Sequence, residues 1–387
     1  MLILSHLLAS IYIDKEWIYN QRLFLDIHAI QVVPPSNINR DDTGSPKTAL
    51  YGGVRRARVS SQSWKHAMRR YFNENGSKEN VGVRTLDIVE YVAQSILSLN
   101  NHLTKEEALN MADDVLNKAG IKTELPKKTD KETAVKRAKA LTFLGSKQAQ
   151  ALAKSALDGV NDKKVLQDIL TDNPAIDIAL FGRMVADDAS LNEDASCQVA
   201  HAISTHAVQT EFDYFTAIDD LSPEEKAEAK MLGTIEYNSS TLYRYANIAL
   251  HEFVKQLDDQ SATIEAVKLF IKAFVLSMPT GKMNTFANAT LPQLVLISLR
   301  HDRPVNLVTA FEQPVRTDGH NGYAKSSCQK LFDEGQKIAK FTEKADFTAF
   351  VAMEEMDQVN TFGQEEVNLQ SLLDELGLQL NERLAHD

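Results

Sequence analysis

The chain has 387 residues, of which 43% are hydrophobic and 25% are charged, and its formal net charge at pH 7 is -11. This composition excludes a wholly disordered, collagen-like or coiled-coil chain, and the length is typical of two or three domains with a sizeable core. The acidic net charge, taken alone, argues against a protein that binds nucleic acid.

The charge is distributed unevenly along the chain. Residues 40–70 contain eight Lys or Arg residues against two acidic ones, whereas residues 331–387 contain thirteen acidic residues against four basic ones. Most of the acidity therefore lies in the tail, and a basic segment lies near the front. This segment keeps a nucleic-acid partner among the hypotheses.

The chain opens with the apolar run MLILSHLLASIYI. The run lacks the basic n-region and the clear cleavage site of a secretory signal, and Asp14 ends it well short of the ~20 apolar residues that a membrane span needs. We interpret residues 1–21 as an N-terminal extension ahead of a domain that begins near Arg22. Whether the extension belongs to the mature protein or reflects a choice of start site is left open.

The cysteines and histidines do not form the pattern of a metal site. Cys197 and Cys328 are too few for a disulfide framework or a structural zinc site, and their small number fits a reducing cytosol. His201 and His206 are five residues apart, a spacing that splays two rings on a helix. We therefore expect a cytoplasmic chain with no metal, no cofactor and no membrane partner.

The first predicted element is a strand at residues 23–33 (LFLDIHAIQVV), bounded by Pro34-Pro35. Residues 54–60 (VRRARVS) predict a short strand or extended arm with Arg56 and Arg58 on one face. Ser60 or Ser61 then caps a helix whose apolar positions follow the 3.6-residue period: Trp64, Ala67, Met68, Tyr71 and Phe72. Lys65 and Arg69 are four residues apart and project together from another face of this helix.

The middle of the chain has helical composition. Residues 84–170 contain long runs of Ala, Leu, Lys and Glu with one break at Leu125-Pro126, and we predict an inserted helical subdomain there. A second strand is predicted at residues 177–185 (DIALFGRMV).

Four further elements are predicted downstream. Residues 240–250 (STLYRYANIAL) alternate like a strand, and residues 267–278 carry the apolar stripe of an amphipathic helix. Residues 294–299 (LVLISL) predict a buried strand, and a stripe of leucines marks a late helix at residues 369–380. Without its insertions, the predicted order is β-α-β-β-α-β, the ferredoxin-like or RRM-like arrangement of an α+β fold.

The strongest motif is residues 37–70, NINRDDTGSPKTALYGGVRRARVSSQSWKHAMRR. It combines flexible glycines, closely spaced guanidiniums and a helix that opens with hydroxyl residues. Backbone N–H groups at a helix start attract phosphate, and Arg and Lys neutralise the neighbouring backbone charges. A solvated basic face is the alternative, and spacing alone does not decide between the two.

Residues 22–72 contain the words LDIHAI, NRDD, YGG, RRARVSSQS and KHAMR, which closely resemble the CasC-type backbone subunit of the type I-E CRISPR Cascade complex, an antiviral defence assembly. Downstream, GRM (182–184), AHAISTH (200–206), FDYFTAIDD (212–220) and LYRYANI (242–248) are similar to the same family. The resemblance covers most of residues 22–315 in order and is weaker in residues 75–170 and in the tail.

The resemblance implies a hand-shaped α+β protein with an RRM-like (ferredoxin-like) palm, an inserted helical fingers subdomain and a thumb β-hairpin. We assign the discontinuous palm to residues 22–75, 175–205 and 240–315. The fingers correspond to residues 76–174, the thumb to residues 206–239, and an acidic C-terminal helical region to residues 316–387.

The implied function is that of an RNA-binding scaffold without catalytic activity. Copies of the chain would polymerise along the CRISPR RNA (crRNA) and present it for base pairing with invading DNA, so the implied partners are crRNA, target DNA, further copies and other Cascade subunits. A protein that holds any guide has to contact phosphates and 2′-hydroxyls without reading bases. We expect the basic segment to line the RNA groove and the acidic tail to face solvent or a partner's basic surface.

By the same resemblance, six residues fall on positions that line the backbone of the guide: Arg40, Lys47, Ser60, Gln62, Lys65 and Arg69. Met184, Phe215 and Thr216 fall on positions that wedge against a kinked base. Ordinary core packing is the alternative for Met184 and Phe215. Five finger lysines are candidates for DNA contact, with a solvated helix face as the alternative: Lys127, Lys128, Lys131, Lys136 and Lys139.

A metal-dependent nuclease is the second hypothesis. Related backbone subunits of other CRISPR complexes cleave bound target RNA with an Asp in a loop after the first palm strand, and Asp41 and Asp42 lie in such a loop here. The word NRDD, however, matches the DNA-targeting family as it stands. We therefore expect Asp41 or Asp42 to pair with nearby arginines and order the loop.

Overall fold

A computed structural model of the chain describes residues 22–126, 134–185, 187–216, 232–317, 319–320, 322–355 and 362–384. The N-terminal extension at residues 1–21 lies outside the described residues, as do residues 217–231 of the predicted thumb. Within the described ranges, no helix is both long enough and apolar enough to span a membrane.

The described residues form a mixed α/β fold. The strands are β1 (Phe24–Ser36), β2 (Thr48–Tyr51), β3 (Val54–Val59), β4 (Gly82–Thr85), β5 (Thr123–Glu124), β6 (Arg137–Ala138), β7 (Thr142–Gly145), β8 (Cys197–Val199), β9 (Ala202–Ser204), β10 (Glu211–Thr216), β11 (Leu232–Ala249), β12 (Pro292–Arg300), β13 (Phe347–Ala352) and β14 (Gln364–Glu365). The α-helices are α1 (Ser61–Asn75), α2 (Ile88–Leu99), α3 (Lys105–Ala119), α4 (Ser146–Leu157), α5 (Lys163–Thr171), α6 (Ile176–Phe181), α7 (Leu250–Leu257), α8 (Gln260–Leu276), α9 (Met283–Phe286), α10 (Ala324–Ile338) and α11 (Leu369–Leu384).

Ten strands form one large mixed sheet. Its hydrogen-bonded order is β14-β13-β12-β1-β11-β9-β3-β2, and β8 and β10 also pair with β11. The β13–β14 pair is parallel, and the other pairs in this sheet are antiparallel. Strand β1 is central and paired on both sides, which explains why LFLDIHAI reads as a continuous buried run rather than as an alternating one.

The two faces of the sheet are covered by different helices. Leu25, Ile27 and Ala29 of β1 pack into a core with residues of α1, α6, α7, α8 and α11. Ile30 belongs to a second core on the other face, formed with α10 and the 3₁₀ helix at Leu307–Phe311. The sheet is therefore sandwiched, and α1 is held by its apolar side against the first core.

The segment predicted to be helical fingers has a core of its own, built mainly by α2, α3, α4 and α5. Two short antiparallel strand pairs, β4–β7 and β5–β6, accompany these helices. The helical composition of residues 84–170 therefore predicts the main elements of this segment but not its small strands.

The predicted strand at residues 177–185 is wrong. The structure has helix α6 over Ile176–Phe181, which ends at Gly182 with a φ of +77°. A short apolar run such as DIALF is equally typical of a buried helix and of a buried strand, so periodicity did not separate the two. A Cβ at Gly182 would lie 2.9 Å from the Glu193 carbonyl oxygen, so the turn also needs the small residue.

Two other expectations are modified. Strand β1 continues past Pro34-Pro35 to Ser36, because a register shift between Val33 and Ser36 absorbs the prolines.

The acidic tail is not simply a solvent-facing helical region, since β13 pairs with β12 and α11 packs into the first core. Its charged residues lie on the outer sides of elements whose apolar sides complete the sheet and its cover.

Candidate functional site

Helix α1 begins where the sequence predicts a cap. The Ser60 hydroxyl accepts a hydrogen bond from the backbone N–H of Ser63 at 3.3 Å, which satisfies one of the free donors of the first turn. Trp64, Met68 and Phe72 are buried on one side of the helix. This leaves Lys65 and Arg69 on another side.

Arg244 of β11 fixes α1 against the sheet. Its guanidinium carbon lies 3.7 Å from the ring centroid of Trp64 and 4.3 Å from that of Phe274, so the cation is stacked between α1 and α8. The guanidinium also donates to Gln31 Oε1 at 2.6 Å and to the Phe274 carbonyl oxygen. Burial lowers the pKa of Arg244 to about 9. Arg244 is therefore a structural residue that positions the helix.

Four of the predicted RNA-binding residues line one open groove of about 660 Å³: Gln62, Lys65, Arg69 and Met184. Lys65 Nζ lies 5.4 Å from the ring centroid of Phe181, and the Arg69 guanidinium carbon lies 6.0 Å from that of Phe143. The Met184 side chain is 79% exposed, which contradicts the core-packing alternative for this residue. The groove brings cations, an amide and an exposed thioether together at the surface.

A second group surrounds the N-terminus of α1. Asn39 holds it together, because its Oδ1 accepts from the Ser60 N–H at 2.8 Å and its carbonyl oxygen accepts from the Lys47 N–H at 2.9 Å. His201 Nδ1 accepts from the Ser61 N–H at 2.8 Å. Burial, then the charges of Arg58 and Lys47, lower the pKa of His201. Predicted residues Lys47 and Ser60 thus lie beside further basic groups, and Arg40 lies in the same loop, bridged to Pro46.

Phe215 and Thr216 lie on β10, which pairs with the first part of β11 as a hairpin. The Phe215 ring covers Gly233, where a Cβ would lie 2.3 Å from the ring. Phe215 is 38% exposed, so it is not a core residue of this chain, and it is not among the residues that line the groove. Thr216 is paired with Leu232 through its backbone.

Asn37 connects this hairpin to the basic loop. Its Nδ2 donates to the Gly44 carbonyl oxygen at 2.9 Å and to the Glu236 carbonyl oxygen at 2.8 Å. The Asn37 side chain is buried, so the two bonds are shielded from competing water. The loop and the base of the hairpin are therefore tied to each other.

Asp41 orders its own loop through hydroxyl and backbone donors. Its Oδ1 accepts from the Thr43 hydroxyl at 2.7 Å, the Thr43 N–H at 2.9 Å and the Ser45 N–H at 3.0 Å. These bonds, the Thr43 hydroxyl first, lower the pKa of Asp41. Among the described residues no arginine lies within 4 Å of Asp41, so Thr43 and Ser45, rather than the expected arginine, supply its donors. In the part of the chain that the structure describes, no group of three or more His, Cys, Asp or Glu side chains could hold a metal ion.

The finger lysines are only partly described. Lys127, Lys128 and Lys131 lie outside the described residues. Lys136 Nζ donates to Asp113 Oδ2 at 2.6 Å, whereas Lys139 is exposed. Lys136 therefore has an acidic partner within the chain.

Other residues of the site were not anticipated from the sequence. Arg84 of β4 lines the groove together with Phe143 and Phe181. A single arginine in the word GVRT carries no pattern that could have identified it. Arg56 lies in the basic motif, but it is not a surface residue. Its side chain is buried and donates to the carbonyl oxygens of Tyr51, Ser204 and Phe311.

The chain is similar to two chains of known structure. A chain of a structure described as "CRISPR RNA-guided surveillance complex, pre-nicking" is 31% identical, with a TM-score of 0.81, over 92% of this chain and 100% of that one. A chain of a "CRISPR RNA-guided surveillance complex" is 28% identical, with a TM-score of 0.72, over 92% and 99% of the two chains. No curated protein matches. The family model described as CT1975-like protein matches residues 25–378, and the chain therefore belongs to the CT1975-like protein family.

Proposed function

We propose that the chain is a crRNA-binding backbone subunit of a Cascade-type surveillance complex, and more specifically the CasC-type subunit of a type I-E complex in antiviral defence. The observation that carries the proposal is the likeness, at 31% identity and over 92% of the chain, to a chain of a CRISPR RNA-guided surveillance complex. The basic groove supports it, because an RNA scaffold needs such a surface.

The sheet supports an RRM-like palm within this proposal. Strands β12, β1, β11 and β8 or β9 lie side by side in that order and are antiparallel. Helix α1 lies in the sequence between β1 and β8, and α8 lies between β11 and β12. This is the strand order expected of a β-α-β-β-α-β unit with β1 and β11 at its centre.

In the proposed mechanism the groove binds the phosphates of the guide. Lys65 and Arg69 supply charge from α1, and Gln62 supplies an amide N–H donor for phosphate oxygens and a carbonyl acceptor for sugar hydroxyls. Arg40, Lys47 and Ser60 extend the contact beside the start of α1. None of these groups needs to read a base edge, so sequence discrimination is left to base pairing between guide and target.

The exposed apolar side chains have a separate proposed role. Met184 and Phe215 contact an unstacked base, and Thr216 lies beside Phe215 on the same strand. Copies of the chain then follow one another along the RNA, as in an open heterologous assembly, together with other Cascade subunits and target DNA in the cytoplasm.

We propose that the chain itself is not a nuclease. The hydrogen bonds that Asp41 accepts from Thr43 and Ser45 support this, because they commit its Oδ1 to the loop. Incubation of the purified complex with magnesium and complementary RNA provides the test. Cleavage at regular intervals that is lost in the Asp41→Ala/Asp42→Ala variant would favour the nuclease instead.

Affinity purification of the tagged full-length chain, followed by sequencing of the copurified RNA, tests the RNA-binding role. We expect spacer RNA flanked by repeat sequence. The Lys65→Ala/Arg69→Ala variant, purified in the same way, should recover much less of this RNA. Recovery of no repeat-flanked RNA with the unmodified chain would refute the proposal.

A further inference from the structure

Two guanidiniums face the groove from different parts of the chain. Arg69 extends from α1, and Arg84 extends from β4, a strand of the predicted fingers. Within the described ranges, neither guanidinium has an acidic partner within 4 Å or a side-chain hydrogen bond. Each therefore presents its donors to the groove.

The buried arginines in the described part of the chain all have hydrogen-bond partners for their guanidiniums. Arg183 donates to the Leu191 carbonyl oxygen at 3.0 Å and to that of Leu170 at 2.6 Å. Arg300 donates to Asp302 at 3.1 Å and to the Glu343 carbonyl oxygen at 2.6 Å. Against this background, the unused donors of the half-buried Arg69 are a distinguishing feature of the groove, and the exposed Arg84 lines the same groove.

The two cations influence each other. Burial lowers the pKa of Arg69, and the charge of Arg84 lowers it further, whereas Asp177 acts in the opposite direction. Two like charges that face one opening repel each other unless an anion lies between them. Glu193 and Asp194 also line the groove, but neither comes within 4 Å of these guanidiniums.

The position of Arg84 is fixed by its strand. Asp177 Oδ1 accepts the Gly82 N–H at 2.8 Å, which holds the start of β4 against α6. Arg84 is paired in register with Phe143 of β7, whose ring centroid lies 6.0 Å from the Arg69 guanidinium carbon. A Cβ at Gly82 would lie 2.9 Å from the Phe143 ring, so this packing is tight. The backbone positions of the two arginines are therefore set by the fold.

We propose that Arg84 is an RNA-binding residue and that Arg84 and Arg69 together bind one backbone phosphate of the RNA. The inference rests on the proposed RNA-binding function and adds to it a contact from the predicted fingers. A phosphodiester offers two non-bridging oxygens that carry the charge, and guanidiniums recognise such oxygens by paired hydrogen bonds. One phosphate between the two cations relieves their repulsion.

Salt titration of RNA binding tests the proposal on four forms of the full-length chain: unmodified, Arg69→Ala, Arg84→Ala and the double variant. The probe is a short fluorescent single-stranded RNA of mixed sequence, followed by anisotropy. Each phosphate contact on a single strand contributes ~0.7 to the slope of log K against log salt. A variant that loses one contact therefore falls behind the unmodified chain by about a further fivefold in affinity when the salt concentration is lowered from ~1 M to ~0.1 M. We expect the double variant to lose ~0.7 in total, because both arginines serve one phosphate.

Three results would have separate meanings. Unchanged binding by Arg84→Ala overturns the proposal, and a loss of ~1.4 in the double variant shows two separate phosphates and overturns the shared contact. Arg70→Ala is the control, since Arg70 is exposed on α1, pairs with Glu74 at 3.6 Å and does not line the groove. If the unmodified chain binds no RNA at any salt concentration, the proposed function fails and this contact with it.

Discussion

Lys65 and Arg69 lie one helical turn apart on α1, and both reach the groove. The opposite side of the helix carries Trp64 and Met68, which are buried against the sheet and held by Arg244. The side chains that reach the groove are therefore presented by a rigid element. Their charges act at fixed positions, which suits a surface that contacts a regular backbone.

Replacement of both Lys65 and Arg69 by alanine should weaken RNA association equally for all RNA sequences. If Lys65 and Arg69 contact different phosphates, the salt slope should fall by about 1.4 at most, or ~0.7 per phosphate, and by less where Arg84 still holds the phosphate that it shares with Arg69. Anisotropy titrations with several unrelated RNAs measure this. An effect that varied strongly with RNA sequence would mean that these residues read bases.

Asp177 predicts a pH dependence of RNA binding. Its carboxyl is fully buried, and its Oδ2 has no hydrogen-bond partner in the described part of the chain. Burial raises its pKa to about 7, against the lowering effects of the Gly82 N–H and Arg69; Tyr91 of α2 also faces it. A bound phosphate disfavours the ionised form of Asp177 and raises the pKa of this carboxyl further. RNA binding is therefore accompanied by uptake of a proton at Asp177.

The RNA affinity should therefore be level below about pH 7 and fall as the pH rises through 7 towards 8, at constant ionic strength. Asp177→Asn keeps an acceptor for Gly82 without the titrating charge, and its affinity should be flat over this range. The same decline in the variant would assign the effect to another titrating group.

At the scale of elements, the sequence predicts helix α1 well and helix α6 badly. Helix α1 has a cap, a long apolar stripe and fifteen residues, so its period is unmistakable. Helix α6 has six residues that are mostly buried, and such a run carries no period to read. Tertiary packing against the first core decides its conformation.

The predictability of the site follows the same logic. Gln62, Lys65 and Arg69 share one helix, so their clustering is implied by local sequence, and the family resemblance adds Met184 from a distant segment. Arg84 is absent from any such pattern, because it joins the groove only through the pairing of β4 with β7. A residue placed by a long-range strand pair leaves no local signal.

Helix α11 gives a test of the role of the acidic tail. Leu376 is fully buried in the first core, so Leu376→Ala should destabilise the protein by about 2–5 kcal/mol through lost burial and a cavity. Leu378, two residues further along, is 60% exposed, and Leu378→Ala should change stability by less than about 0.5 kcal/mol. Urea unfolding measures both. Equal, small effects would show that α11 is a peripheral attachment.

At the scale of the whole molecule, the net charge of -11 opposes self-association. The proposed assembly requires copies to follow one another along RNA that is also negative. Separation of the basic groove from the acidic outer surface of the tail allows this, because repulsion between exposed acidic surfaces is screened over ~8–10 Å at physiological salt.

We therefore expect the purified chain to sediment mostly as a monomer at low salt, and to form long assemblies only when CRISPR RNA is added. Analytical ultracentrifugation with and without RNA is the measurement. Stable assemblies at low ionic strength without RNA would show that contacts between protein surfaces are sufficient, and that charge separation is not what controls stacking.

The central position of β1 has a consequence for synthesis on the ribosome. Its neighbours β11 and β12 begin at Leu232 and Pro292, so the first strand to be made is completed on both sides only after about residue 300 has emerged. At ~5–20 residues per second, the nascent β1 waits on the order of 10–50 s with its apolar side chains unburied. The core formed by α2 to α5 draws on residues 88–191 alone and is complete well before then. We therefore expect this helical core to fold while the large sheet is still being translated, and β1 to be the segment most exposed to non-native contacts in the growing chain.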